Sequence, residues 1–254
     1  ASGVPSWLAF NAATRTFSGT PVNVDVGSYT ITVRATDLSG TFAEDQFDIV
    51  VANTNDAPTV ANPISDRAAT EDAAFSFQFA ANTFNDVDVG DSLSYSASGV
   101  PSWLAFNAAT RSFTGTPVNA DVGTHTITVR ATDVSGAFVE DQFDIVVTNT
   151  NDAPTVANPI ADQNATEDAA LNFQFGASIF ADVDAGDALT YTASGVPSWL
   201  SFNAATRTFS GTPLNADVGT HTITVRATDM SGAFVEDQFD IVVANTNDAP
   251  TATN

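Results

Sequence analysis

Apolar and polar residues alternate in four stretches of the segment 56–151: AFSFQFA over 74–80, LSYSA from Leu93, HTITVRA from His125 and QFDIVV from Gln142. A period of two marks a strand with one buried and one wet face, and no stretch carries the 3.6-residue period of a helix. An extended segment after Pro58 and short strands over 103–106 and 112–115 bring the number to seven, A to G. The fold class this predicts is all-β, with strands packed as a seven-stranded sandwich.

The same pattern returns. GVPSWLAFNAATRTFSGTP surrounds Trp7, and near copies surround Trp103 and Trp199, a constant period of 96 residues. That period is too long for a solenoid repeat and close to the roughly 100 residues of an immunoglobulin-like sandwich, so the repeats are domains on a string. A junction motif, NTNDAPT, falls at 53–59 and 149–155, and NTNDAPTATN closes the chain. Boundaries near Asp56, Asp152 and Asp248 then give the C-terminal part of an incomplete repeat over 1–55, complete repeats over 56–151 and 152–247, and the start of a further repeat over 248–254. Half a sandwich exposes its core and does not fold alone. The expectation is that the chain is an excerpt of a longer array or that a neighbouring chain supplies the missing strands.

Composition narrows the function. The 254 residues carry a formal net charge of -23 from 30 acids against seven arginines, and lysine is absent. Such a chain cannot neutralise a phosphate backbone or be steered to an anionic membrane, so cations are the natural counterpart and nucleic acid is excluded as a partner. Hydrophobic residues at 43% are enough to build cores, which argues against disorder. Cysteine is absent, so any metal is held by oxygen ligands, which points to calcium or magnesium. Missing lysine also removes the amine that a Lys–Asn isopeptide staple needs. The chain opens at Ala1 without Met or an apolar h-region and no run of about 18 apolar residues occurs, so neither a signal peptide nor membrane insertion is expected.

Strand parity locates the acids. If consecutive strands run up and down, the A–B, C–D and E–F loops and the end of G share one pole, and the B–C, D–E and F–G loops share the other. Glu71, Asp121, Asn149, Asn151 and Asp152 then lie at the far pole of the second repeat, and Asp86, Asp88, Asp91 and Asp133 at its near pole. Head-to-tail stacking sets that far pole against Asp182, Asp184, Asp187 and Asp229 of the third repeat. Crowded carboxylates repel unless a cation sits among them, and calcium, which takes 6 to 8 oxygens in flexible geometry, suits such a set better than magnesium.

These residues carry a resemblance. Glu71 in ATEDAA, Asp86 and Asp88 in DVD, Asp133 in RATDVSG and the linker NTNDAP resemble the four calcium motifs of cadherin repeats. WLAFNAATRSFTGTP with DVDVGDSLSYSASG is similar to the dystroglycan-type cadherin-like, or immunoglobulin-like, domains of bacterial surface and extracellular proteins. The resemblance spans the whole chain. It implies that Glu71 and Glu167 are A–B ligands, that Asp25, Asp121 and Asp217 stand for the acidic E–F motif, and that Asp56, Asp152 and Asp248 are linker ligands beside Asn53, Asn55, Asn149, Asn151 and Asn247. Two departures stand out: the linker's leading acid is Asn (Asn53, Asn149, Asn245), and the E–F motif shows one acid where cadherins show two.

The remaining candidates have plainer readings. Trp7, Trp103 and Trp199 can stack on sugars, but each stands beside Leu and three residues before Phe, which favours packing. His125 and His221 are matched by Tyr29 in the first repeat, so no imidazole is essential there, and the alternating Thr-rich strand suits a partly exposed position. Glu44, Asp45 and Asp48 along strand G are expected to face water. No nucleophile, base and orienter come together and no phosphate loop occurs, so the chain is not expected to be an enzyme. The expected function is a calcium-binding extracellular or cell-surface array, a stalk or matrix element made rigid by ions at its junctions at roughly 0.1 to 1 mM calcium. A self-assembling filament completed by strand exchange between like chains and an ancillary module for surface glycans are the alternatives.

Overall fold

The computed structural model describes residues 1–249, which divide into two compact units, Ala1–Thr148 and a second that begins at Asn149. The first unit opens with four strands: β1 (Leu8–Asn11), β2 (Thr16–Gly19), β3 (Gly27–Thr36) and β4 (Phe42–Val51). A complete sandwich follows, made of β5 (Thr59–Val60), β6 (Arg67–Thr70), β7 (Phe75–Gln78), β8 (Phe84–Asn85), β9 (Ser94–Ser98), β10 (Leu104–Asn107), β11 (Ser112–Gly115), β12 (Gly123–Thr132) and β13 (Phe138–Thr148). The second unit repeats it with β14 (Thr155–Val156), β15 (Gln163–Thr166), β16 (Leu171–Gln174), β17 (Phe180–Ala181), β18 (Thr190–Ser194), β19 (Leu200–Asn203), β20 (Thr208–Gly211), β21 (Gly219–Thr228) and β22 (Phe234–Ala244).

In the complete sandwich of the first unit, one sheet has the order β6-β13-β12-β9 and the other the order β10-β11-β7. All pairings are antiparallel except that of β6 with β13. The seven expected strands are there, with two of them divided. Strand A is split into β5, which pairs with β8, and β6, which crosses to the other sheet. The break falls at Asn62-Pro63, where proline has no N–H to give a ladder. Strand B is split into β7 and β8 by a turn in which Thr83 donates to the carbonyl of Ala80. Strand G begins at Phe138, four residues before the alternating run that predicts it, because β12 and β13 form one long hairpin from Gly123↔Val147 to Thr132↔Phe138.

The core lies between the sheets. Phe113, Ile127, Val129 and Ile145 are fully buried, with Phe79, Phe84, Phe143 and Val147 around them. Phe106 and Phe113, paired across the β10–β11 ladder, have ring centroids 4.6 Å apart, and Phe143 meets Phe113 edge-on at 5.7 Å. Gly115 is required where β11 crosses the start of β10, since a Cβ there would sit 2.1 Å from the carbonyl oxygen of Trp103. The second unit has the same core around Phe209, Ile223 and Phe239.

The first four strands pack on each other, with Phe17 of β2 edge-on to Phe47 of β4 at 5.5 Å, but this segment lacks counterparts of β5 to β9 and its inner face is left partly open. Phe47 is 39% exposed, whereas its counterpart Phe143 is 2% exposed, and Ile31 is the residue of this segment that stays fully covered. Glu44 and Asp48 are exposed as expected, though not unpartnered: Glu44 pairs with Arg34 at 2.7 Å and Asp48 accepts from Thr30. Asp45 is exposed too, but its counterparts Asp141 and Asp237 are half-buried and accept the backbone N–H of Ile64 (2.7 Å) and Ile160 (2.6 Å), just beyond the break in strand A.

Candidate metal centre

The near pole of the first unit's sandwich is built from two loops. The loop between β8 and β9 holds Asp86, Asp88 and Asp91, and the loop between β12 and β13 holds Asp133. DVDVGD folds on itself: the N–H of Asp88 donates to Asp86 Oδ1 at 3.0 Å and that of Asp91 to the carbonyl of Asp88 at 3.2 Å. Gly90 closes the turn at φ +92°, a region that glycine enters without a Cβ clash. The result gathers carboxylate oxygens of Asp86, Asp88 and Asp91 within 4.8 Å of one another. In the second unit, oxygens of Asp182, Asp187 and Asp229 are gathered in the same way.

The linker docks on this pole. Asn55 donates its side-chain amide to Asp133 at 2.9 Å, and the backbone N–H of Asp56 donates to Asp88 Oδ2 at 2.8 Å. Asn151 and Asp152 make the same two bonds to Asp229 (2.9 Å) and Asp184 (2.8 Å), and Asn149 adds a third to Asp184 at 3.1 Å. Among the described residues, the ion pairs Arg34–Glu44, Arg130–Glu140 and Arg226–Glu236 lie on the long hairpins, and none reaches these acids.

The electrostatics separate two kinds of carboxylate. Burial, and after it the charges of Asp86, Asp133 and Asp88, raises the pKa of Asp91 above the usual carboxylate value; Asp187 is raised by burial and by Asp182, Asp229 and Asp184. Asp133 and Asp229 are lowered, first by the amides of Asn55 and Asn151 and then by backbone N–H groups of their own loops. One oxygen each of Asp86, Asp88, Asp91, Asp182 and Asp187 is buried with no hydrogen-bond partner. Asp88 and Asp184 are 6% and 8% exposed. Buried charge of one sign with unsatisfied oxygens suits a hard cation, and a donor set made wholly of oxygens suits calcium. The residues present fit that ion.

At the far pole the fit is looser. Asp25, Asp121 and Asp217 each lie in a three-residue 3-10 turn and spend Oδ2 on a backbone N–H three residues back, at 2.9 to 3.0 Å. Glu71 and Glu167 are buried in the loops after β6 and β15, 1% and 2% exposed. Glu167 accepts the N–H of Thr246 with Oε1 and leaves Oε2 without a partner. Asn53 is exposed, and Asn247 reaches the carbonyl of Asp248 at 3.4 Å. Two asparagines absent from the sequence-based set complete this end: Asn23 donates to Asp56 at 2.7 Å, and Asn215 donates to Asp248. Its signal is the recurrence of PVNVD, PVNAD and PLNAD at 21–25, 117–121 and 213–217, where Asn reads first as a turn former.

The aromatic candidates pack inward. Trp103 is half-buried, edge-on to Phe75 at 5.9 Å and to His125 at 6.0 Å. Trp7 and Trp199 make the matching contacts with Tyr29 and His221.

Comparisons with known proteins agree with this architecture. Over 134 residues the chain is 40% identical to "Serine-rich adhesin for platelets" of Staphylococcus aureus strain MRSA252, which covers 53% of this chain and 9% of that protein. The protein of the same name in strain NCTC 8325 is 39% identical over a stretch that is 6% of its length, so the chain spans less than a tenth of these relatives. Among solved structures, mouse Cadherin-23 EC22-24 matches with a TM-score of 0.63 at 21% identity, covering 95% of this chain and 83% of that one. Mouse clustered PcdhgC3 EC1-3 matches at 0.53 and 15%, covering 94% and 86%. These likenesses establish the cadherin-like sandwich as the fold. A family model described as "Putative Ig domain" matches three times, at residues 1–52, 57–148 and 153–244, and the chain belongs to that family.

Proposed function

We propose that this chain is a calcium-binding segment of an extracellular or cell-surface adhesive protein, and that its role is to hold tandem repeats in a fixed arrangement, not to catalyse a reaction. The observation that carries the reading is the set of buried, unpartnered carboxylate oxygens on Asp86, Asp88, Asp91, Asp182 and Asp187, each set docked by its own linker. A linker tied to the following repeat through Asn55 and Asp56, and to the preceding one through Asn23, is the part whose stiffness decides how two repeats are oriented.

Calcium supplies positive charge and a flexible coordination shell of 6 to 8 oxygens. The chain's residues do the rest. Asp86, Asp88 and Asp91 present oxygens from one loop; Asp133 is held in place by Asn55; Asp56 follows as a linker carboxylate tied to Asn23. The names of the curated relatives and the likeness to cadherin domains support an adhesive, extracellular setting, where free calcium is high enough for sites of roughly 0.1 to 1 mM. The test is thermal unfolding and small-angle scattering of the 254-residue chain in millimolar calcium and in chelator. A rise in melting temperature with a more extended particle is expected in calcium. Identical melting and scattering in both would remove calcium from the account.

A further inference from the structure

The geometry points to a shared role for Tyr29, His125 and His221: each is a positioning residue that pins the acidic turn before its own strand through one hydrogen bond to a backbone carbonyl. The inference rests on the calcium reading for its consequence, though not for its geometry.

Parity places these residues inside. On β12, Ile127, Val129 and Ala131 are buried, so His125 occupies the same core-facing register at the end of the strand and is half-buried there. An apolar residue is the default for such a position. A polar one needs a partner, and the structure gives each the same one. His125 Nε2 lies 2.7 Å from the carbonyl oxygen of Asp121, His221 Nε2 lies 2.7 Å from that of Asp217, and the Tyr29 hydroxyl donates to that of Asp25 at 2.9 Å. A carbonyl only accepts, so Nε2 carries the proton in both histidines.

The ring is held alike in every repeat. Tyr29 meets Trp7 at 5.8 Å and 75°, His125 meets Trp103 at 6.0 Å and 73°, and His221 meets Trp199 at 5.9 Å and 74°. Two side chains of different length and chemistry thus keep the same edge contact and reach the same atom. What they share, and phenylalanine lacks, is a flat ring with a hydrogen-bond donor at its far end.

The pinned turn is the one that carries the far-pole acid. The N–H of Asp121 donates to the carbonyl of Val118 at 2.7 Å and its Oδ2 accepts the N–H of Val118 at 3.0 Å. With His125 on its carbonyl, Asp121 is fixed at three atoms, and Oδ1 is the oxygen left for a cation. In the first repeat the same turn also presents Asn23 to Asp56, so the donor at Tyr29 sets where the linker is held.

The experiment uses the 254-residue chain with three changes: Tyr29→Phe, the pair His125→Phe and His221→Phe, and the pair His125→Tyr and His221→Tyr. Amide exchange is followed in chelator at Asp25, Asp121 and Asp217, with Ile127 and Ile223 as core references, and calcium binding is followed by calorimetry. Loss of one hydrogen bond in each turn predicts that the Phe variants exchange the turn amide about tenfold faster with the references unchanged, and bind calcium about 3- to 10-fold more weakly. The Tyr pair restores both. Wild-type exchange at the turn in Tyr29→Phe, or no rescue by tyrosine in the folded double variant, overturns the inference. Should the unaltered chain take up no calcium, the proposed function falls, and the exchange measurement alone decides the positioning role.

Discussion

Asn55 and Asp133 stand 78 residues apart in the chain and are joined at 2.9 Å, the amide of the linker donating to the carboxylate of the loop between β12 and β13. This bond is the first cause of the lowered pKa of Asp133, so it holds a negative charge where that charge is buried. Asn55→Asp replaces the donor with a second charge. The expected outcome in chelator is a melting temperature lower by several degrees, and in calcium a larger ion-induced rise than in the unaltered protein, since the new carboxylate is also a ligand. Thermal scans of the two proteins in both buffers check the sign of each change.

Asp91→Asn and Asp187→Asn should act the other way. Both aspartates are destabilised in their charged form by burial and by like charges close by. A neutral amide of the same shape removes that repulsion and also a calcium ligand. The double variant is expected to melt higher than the unaltered chain in chelator and to gain less from calcium. A variant that melts lower in chelator would show that these loops are not limited by repulsion.

The same shifts fix a pH dependence. Asp91 and Asp187 have folded-state pKa values raised above 3.8, so between 3.8 and those values the folded chain holds more protons than the unfolded one, and stability rises as pH falls. Asp133 and Asp229 have values lowered below 3.8, so the stability they contribute is complete above 3.8 and is lost as pH falls through their folded values. Unfolding in chelator should therefore show a rise in stability on mild acidification, then a fall below about pH 4. In calcium the rise should vanish, because protons compete with the ion for Asp91 and Asp187. A monotonic loss of stability from neutral pH in chelator would contradict this assignment.

Much of this architecture was readable from residue order. Strands β12 and β13 announce themselves by alternation, and the 96-residue period of Trp7, Trp103 and Trp199 sets the repeat. The acids at 86, 88, 91 and 133 were placed on one pole by counting strands, and the structure puts them there. What the pattern hides are contacts between loops far apart in sequence. The split of strand A depends on Pro63 and on an acceptor that arrives 77 residues later, which no local window contains. Asn23 looks like an ordinary turn residue until Asp56 is seen beside it. The Thr-rich alternation around His125 indicates a partly exposed position, which it has, but neither its core-facing register nor its partner, a backbone carbonyl, has a sequence signature.

Asp141 and Asp237 offer a comparison internal to the chain. Each accepts a backbone N–H that the break in strand A leaves without a ladder partner, that of the buried core residue Ile64 at 2.7 Å and of Ile160 at 2.6 Å. Their counterpart Asp45 sits at the same point of the same hairpin and is exposed, with its side chain turned to the N–H of Gln46. A hydrogen bond to a charged acceptor is worth about 1.5 to 3 kcal/mol where its loss leaves a donor buried and unmet. Asp141→Ala with Asp237→Ala should therefore lower the urea midpoint for unfolding of the complete sandwiches and speed amide exchange at Ile64 and Ile160, whereas Asp45→Ala should leave the unfolding free energy within about 0.5 kcal/mol of that of the unaltered chain, as for an ordinary surface change. Equal effects from the two substitutions would mean that these aspartates act through surface charge, which all three share, and not through the backbone bond that only Asp141 and Asp237 make.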